Sequence, residues 1–182
     1  THSIEEISQI GDQIVLIKDG KKIDSGSVSN ILNRSSFVDL TGKFESSSIL
    51  EGIVSRHDKN LHITTLDLNG QKLVVPGLPG KLNDILRVRI RSRDIILSSS
   101  RLKTQITENE LQGLISSIVI EKNSAFSELV IVLKNFKNNR KKQKLRARIT
   151  TYNLKNMKLL MHDNVFIYVS SVSIDRQAYQ SK

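Results

Sequence analysis

Apolar and polar residues alternate with a period of two along much of this chain, and the clearest run lies between Ile85 and Leu97. Leu86, Val88 and Ile90 point to one face and Arg87, Arg89 and Arg91 to the other, the pattern of a half-buried strand. After Arg91 the phase slips by one, and Ile95 and Leu97 carry the apolar positions. Read as one strand, the run needs a β-bulge or a corner within a barrel or curved sheet. The slip recurs further on: Val165, Ile167 and Val169 alternate, Ser170-Ser171 breaks the phase, and Val172 and Ile174 resume on the other parity. The beginnings agree as well, because Leu50-Glu51-Gly52-Ile53-Val54-Ser55 matches Leu111-Gln112-Gly113-Leu114-Ile115-Ser116, 61 positions later. A tandem duplication follows. Its second unit is longer by a basic segment, 135–144, and by 151–161, both expected in surface loops.

The remaining signals place elements around these two units. Ser3 and Glu6 form a capping box ahead of Ile4, Ile7 and Ile10, so a short helix is expected over 4–10, stopped by Gly11-Asp12. Gln13 to Ile17 reads as a strand, Asp19-Gly20 as a hairpin turn and Lys21 to Ser25 as the returning strand; Gly26-Ser27 then opens a second short helix to about Leu32. The polar, serine-rich stretch from Phe37 to Ser48 marks a domain boundary. Beyond it short strands are expected over 53–56, 62–68 and 72–75, the last two joined by Asn69-Gly70, with Pro76-Gly77 and Pro79-Gly80 in a loop before the central strand. The second unit repeats the plan over 114–121, 129–134, 145–150 and 165–174, with a short helix over 153–161. The fold class is mainly β: two tandem OB-like β-barrel units, 45–110 and 111–182, able to share or exchange strands, after a small α/β segment, 1–44.

Charge alters this picture on one side only. Of a net charge of +10, +9 falls in 111–182, much of it in Lys137-Asn-Asn-Arg-Lys-Lys-Gln-Lys144. Such a run suits nucleic acid, anionic lipid or an acidic protein, but it equally suits a solvated hairpin tip. Only Phe136 stands beside it, whereas single-strand platforms interleave aromatics with cations. The arginines 87, 89, 91 and 93 form a ladder that fits either an anion, a neighbouring subunit's acids or plain solvent. There is no cysteine, which excludes disulfides and thiolate metal sites, and His57, His62 and His162 lack metal-ligand spacing. No apolar run approaches the roughly 20 residues that span a bilayer, so the chain has no transmembrane segment of its own.

Thr1-His2-Ser3-Ile4-Glu5-Glu6 resembles the end of the nucleotide-binding domain of ATP-binding-cassette transporters, and that family's Asp-x-Ile-x-x-Ile-x-Asp-Gly-Lys-x-x-x-x-Gly pattern stands here as Asp12 to Gly26. Ser48-Ile49-Leu50, Leu86-Arg87-Val88-Arg89-Ile90 with Asp94-Ile95, Ala147-Arg148-Ile149-Thr150 and Ser171-Val172-Ser173-Ile174 extend the resemblance to the ATP-binding subunit of bacterial molybdate importers, whose barrels are of the TOBE or MOP type. The resemblance implies that 1–44 is the remnant of a nucleotide-binding domain and that His2 is its switch histidine, contacting the γ-phosphate in the intact subunit. It implies ATP and Mg²⁺ as cofactors of the parent subunit, molybdate or tungstate as ligands, and no cofactor required by this chain. The implied partners are a second copy, in a homodimer, and a membrane-spanning permease subunit, on the cytoplasmic face of the cell membrane, with no nucleic acid. The two barrels then form a regulatory and dimerisation region of an importer that energises oxyanion uptake.

No Gly-x-x-x-x-Gly-Lys-Ser/Thr loop and no carboxylate-ended apolar strand ahead of His2 occur, so the chain is not expected to hydrolyse ATP alone. In the molybdate-binding barrels it resembles, tetrahedral oxyanions sit against a Ser-x-Arg/Lys-Asn stretch and a Lys beside the final Ser-Val strand. Asn109 keeps the Asn, but Ile106 stands at the Ser position, Glu108 at the cation and Ser170 at the Lys. A buried carboxylate beside an anion costs on the order of a few kcal/mol. The candidate oxyanion contacts are Asn109, Thr150, Ser170 and Ser171. Two alternatives stay open, a nucleic-acid-binding OB-type protein using the basic second unit and an intracellular oxyanion-binding barrel.

Overall fold

Between Ser46 and Ile174 each alternating run becomes a strand, because alternation buries one face and leaves the other to solvent or to a neighbour. The computed structural model describes residues 7, 12–28, 31, 46–104, 107–137, 142–170 and 172–174. The strands are β1 (Gln13–Lys18), β2 (Lys21–Ser27), β3 (Ser47–Asp58), β4 (Ile63–Leu68), β5 (Gln71–Pro76), β6 (Ile85–Arg91), β7 (Ile95–Ser98), β8 (Asn109–Ile120), β9 (Phe126–Leu133), β10 (Lys144–Thr150), β11 (Asn164–Val169) and β12 (Ser173–Ile174). β1 and β2 form a hairpin across Asp19 and Gly20, both left-handed. The others build two five-stranded antiparallel sheets, ordered β12-β6-β3-β4-β5 and β10-β9-β8-β11-β7.

The run from Ile85 to Leu97 is therefore not one bulged strand. β6 pairs with β3 in the first sheet, a 3₁₀ turn at Ser92–Asp94 changes direction, and β7 pairs with β11 in the second sheet. The second slip has the same cause, since β11 lies beside β8 and β12 crosses back to pair with β6. The parity resets because each crossover enters a sheet whose core lies on the other side. Each unit thus lends its last strand to the other. The crossovers touch: Ser170 donates from both its amide and its hydroxyl to the Asp94 carbonyl, at 2.9 and 3.0 Å, while Ser92 donates its amide to the Ser46 carbonyl at 2.9 Å.

The duplication is visible atom by atom. β3 shifts register between Val54 and Arg56, β8 between Ile115 and Ser117, again 61 positions apart. A Cβ on Gly52 would stand 2.8 Å from Leu66 Cβ, and one on Gly113 would meet Ile131 and the Val132 carbonyl, so close approach of the neighbouring strand demands glycine at both. Asn83 (φ 72°) and His162 (φ 71°) each donate an amide to the bulge, to the Val54 and Ile115 carbonyls, both at 2.9 Å. The next residue accepts in return, the Asp84 carbonyl from Val54 at 2.9 Å and the Asp163 carbonyl from Ile115 at 3.0 Å.

One apolar core runs through both sheets, with Leu50, Leu66, Leu86 and Ile90 from the first unit and Leu111, Ile131, Leu145 and Ile167 from the second. Helix α1 (Thr151–Asn156) starts and stops earlier than the span 153–161, because the Thr150 hydroxyl caps it by accepting from the Asn153 amide at 3.2 Å and Lys158 turns left-handed (φ 51°). A second small core joins Ile14, Val28 and Ile31 to Ile49 of β3. Of the expected helices over 4–10 and from Gly26 to Leu32, Ile7, Val28 and Ile31 are helical, Gly26 and Ser27 belong instead to β2, and the other residues lie outside the described ones.

Candidate functional site: the seams between the units

Two polar seams join the units. At one, the Gln71 amide spans the first residues of β8: Nε2 donates to the carbonyls of Gln112 (3.1 Å) and Lys134 (2.8 Å), and Oε1 accepts from the Gln112 amide (2.6 Å). At the other, Gln143 does the same to Glu51 of β3, donating to its carbonyl at 2.8 Å and accepting from its amide at 2.6 Å. Glu51 and Gln112 are repeat equivalents. Each seam has a second stitch at the next pair of equivalents, Ser48 and Asn109. The Asn109 Oδ1 accepts from the Val74 amide (2.6 Å) and its Nδ2 donates to the Val74 carbonyl (2.9 Å), whereas the Ser48 hydroxyl accepts from the Arg146 amide (2.8 Å). Nothing local in the sequence marks Gln71 and Gln143, since a glutamine at a strand end looks like any solvated residue. The offset of 61 that pairs Glu51 with Gln112 was the available signal.

Of the expected site residues, the structure brings two together. Asn109 pairs with Val169 across β8 and β11, so Glu108 and Ser170 leave the sheet side by side. Asn109 is buried with its amide on Val74, and Ser170 is exposed with its hydroxyl on Asp94. Thr150 stands apart, at the end of β10 as the helix cap. His2 and Ser171 lie outside the described residues. Beside Asn109 an open pocket is lined by Arg101, Lys103, Thr107, Glu108, Glu110 and Tyr168. Its charges are mixed: Arg101 pairs with Glu110 at 3.0 Å, and the Tyr168 hydroxyl accepts from the Leu102 amide at 2.8 Å. The Thr107 hydroxyl donates to the Val169 carbonyl at 2.7 Å.

The arginine ladder divides likewise. Arg87 faces Glu51 at 3.6 Å and Arg89 donates to the Ser47 hydroxyl at 3.1 Å, while Arg93 sits on the 3₁₀ turn rather than on β6. Among the described residues, two buried ion pairs belong to the second unit alone. Arg146 meets Glu128 at 3.0 Å with the Ser46 hydroxyl on the same carboxylate oxygen, and Arg148 grips Glu121 through two bonds (3.1 and 3.2 Å) over the ring of Phe126. The basic segment begins on the first unit: Lys137 pairs with Asp67, and the Phe136 amide donates to the Asn69 carbonyl at 2.9 Å. His57 Nδ1 bonds the Thr64 hydroxyl at 2.9 Å. Among the described residues no cluster of His, Cys, Asp or Glu is placed to hold a metal, and no helix is long and apolar enough to cross a membrane.

A duplicated, strand-exchanging barrel pair behind a short α/β segment has relatives. Along almost its whole length the chain is 27% identical to a molybdenum import ATP-binding protein of Mesorhizobium japonicum, over 176 residues covering 97% of this chain and 45% of that protein. The chain resembles the molybdenum import ATP-binding proteins. The counterpart from Brucella abortus is 28% identical over 183 residues, 100% of this chain and 47% of its own, and that of Rhizobium johnstonii 35% identical over 104 residues, 56% and 28%. The chain spans about half the length of such import proteins, or less. No family model matches it. Among solved structures, a cytoplasmic molybdate-binding protein with molybdate bound shares the fold, with a TM-score of 0.58 at 13% identity over 70% of this chain and 94% of its own. The OB-like barrel pair expected from the alternation is thereby found.

Proposed function

We propose that this chain works as part of the ATP-binding subunit of a bacterial ATP-binding-cassette importer for molybdate. The observation that carries the reading is similarity to molybdenum import ATP-binding proteins over 97% to 100% of the chain. On this reading 1–44 closes a nucleotide-binding domain, and 45–110 and 111–182 are the two repeats of a region that regulates and pairs the subunits. ATP with Mg²⁺ binds in the complete subunit, a membrane-spanning permease is its partner, and the assembly sits on the inner face of the membrane. The oxyanion contacts that the resemblance implies are Asn109, Thr150, Ser170 and Ser171; the Asn109 amide serves Val74, the Ser170 hydroxyl serves Asp94 and Thr150 stands apart as the helix cap, so an oxyanion held here displaces those bonds.

In the complete subunit His2 contacts the γ-phosphate and positions the attacking water, a step in which positioning and charge stabilisation supply most of the rate. His2→Ala in that subunit is expected to lower hydrolysis by about 100-fold or more while nucleotide affinity stays unchanged. Unchanged turnover would overturn the role of His2. Tight single-strand binding by the chain, with log affinity falling steeply against log salt, would favour the nucleic-acid reading instead.

A further inference from the structure

Asn69-Gly70 is the one Asn-Gly step in the chain, and such a step has a reaction of its own. The glycine's backbone nitrogen attacks the asparagine Cγ, the side-chain NH₂ takes up the displaced amide proton and leaves as ammonia, and a succinimide ring closes. Water then opens the ring to aspartate or to isoaspartate, in which the main chain runs through Cβ. Glycine favours the first step because it has no side chain to hinder the approach. In an unfolded chain Asn69 is therefore the most reactive asparagine.

The fold opposes each part of that step. Asn69 (φ 57°) and Gly70 (φ 95°) form the turn between β4 and β5, and Asn69 is only 7% exposed although it stands at a hairpin tip. The nucleophile is engaged, because the Gly70 amide donates to Asp67 Oδ1 at 2.6 Å, and a carboxylate so close disfavours the amide anion that attack requires. The cover comes from the second unit. The Phe136 amide holds the Asn69 carbonyl at 2.9 Å, a Cβ on Gly70 would stand 2.8 Å from the Phe136 Cβ, and Lys137 pairs with the other oxygen of Asp67. Asn123, on the turn between β8 and β9, is also left-handed (φ 55°) and has a serine after it, yet it is exposed, as are Lys122 and Ser124 beside it.

We infer that Asn69 is a deamidation site whose rate is set by opening of the clasp that Phe136 and Lys137 close over it. Modification then acts on the seam. An isoaspartyl link adds a main-chain methylene inside the turn that sets Leu68 opposite Gln71, and so displaces the Gln71 clamp on Gln112 and Lys134. The test is peptide mass spectrometry of the 182-residue chain aged in mildly alkaline buffer, native and in urea, reading the mass gained as amide becomes acid at Asn69 and Asn123. In urea Asn69 is expected to react first; in the native chain the order inverts, with Asn69 slowed roughly 100-fold and Asn123 little changed. Lys137→Ala and Phe136→Ala are expected to speed the native reaction at Asn69 by about 2- to 5-fold, with the thermal transition and Asn123 unchanged. Native loss at Asn69 as fast as in urea would overturn the protection. Variants that leave its rate unaltered, or raise it only alongside a lowered thermal transition, would overturn the clasp. The isoaspartyl fraction, separated by its added negative charge, is expected to melt below the parent chain, and an equal melt would overturn the effect on the seam.

Discussion

The first and second units share a backbone plan but close their seams differently. Where the Asn109 amide meets Val74 in the first unit, the Ser48 hydroxyl meets Arg146 in the second, and that arginine enters a buried pair with Glu128 that the Ser46 hydroxyl completes. The first unit fills its strands with apolar side chains: Leu66, Leu68, Leu73 and Val75 are all buried. The second buries Glu128 and Arg146 within β9 and β10 and Glu121 just past the end of β8. Backbone geometry at the bulges, at the glycines and at the turns where the Asp84 and Asp163 carboxylates accept from the Lys81 and Leu160 amides survives these changes, so the duplicated frame is set by close approach and hydrogen bonding, not by the identity of the core. A buried ion pair gains little over apolar packing, but its loss by halves is costly.

Severing the exchange breaks the comparison most completely. A chain ending at residue 104 keeps every strand of the first unit yet loses β12 from the first sheet, and β7 loses β11, against which it pairs Ile95 and Leu97. It is expected to be unfolded, with collapsed amide dispersion in a ¹H–¹⁵N spectrum, while the full chain melts in one transition across both units. A well-dispersed spectrum from the shorter chain would show that the first unit is independent.

The ion pair separates the units more finely. Glu128→Ala removes the carboxylate that faces the buried Arg146 and is expected to cost about 3–5 kcal/mol in denaturant unfolding, whereas Glu128→Leu with Arg146→Leu recovers most of that loss. A cost below about 1 kcal/mol for the single change would mean that the pair is solvated in solution. Smallest is the effect at the clamps. Gln71→Leu and Gln143→Leu each leave a backbone amide and carbonyl of the opposite unit unmatched, at about 1–2 kcal/mol apiece. Gln71 is expected to cost the more, because its Nε2 also serves the Lys134 carbonyl. Equal costs would place the weight of both seams on the shared bonds to Gln112 and Glu51.

The sequence made the alternation, the offset of 61 and the Asn69-Gly70 hairpin legible, because strand faces and turns are local. The phase slips at Ser92 and Ser170 were visible too, but alternation reports which face a residue takes and not which sheet it joins. A bulge and a crossover therefore look alike. The seams stayed hidden for a related reason: Gln71 and Gln143 act on backbone atoms, and any residue at Gln112 or Glu51 presents the same amide and carbonyl. Asn109 was singled out by resemblance as an oxyanion contact; that its amide also holds Val74 is a fact of three-dimensional neighbourhood that no spacing encodes.

The lent strands also impose an order in time. As the chain is synthesised, Val88 of β6 must wait for Ile174, its partner in β12, so the first barrel stays incomplete while the whole second repeat is made. At about 5–20 residues per second, that interval is roughly 4–17 s. Throughout it β6 carries an unfilled edge next to three arginines. Charged side chains of that kind discourage edge-to-edge pairing. Arg87, Arg89 and Arg91 thus guard, during birth, an edge that the finished protein no longer shows.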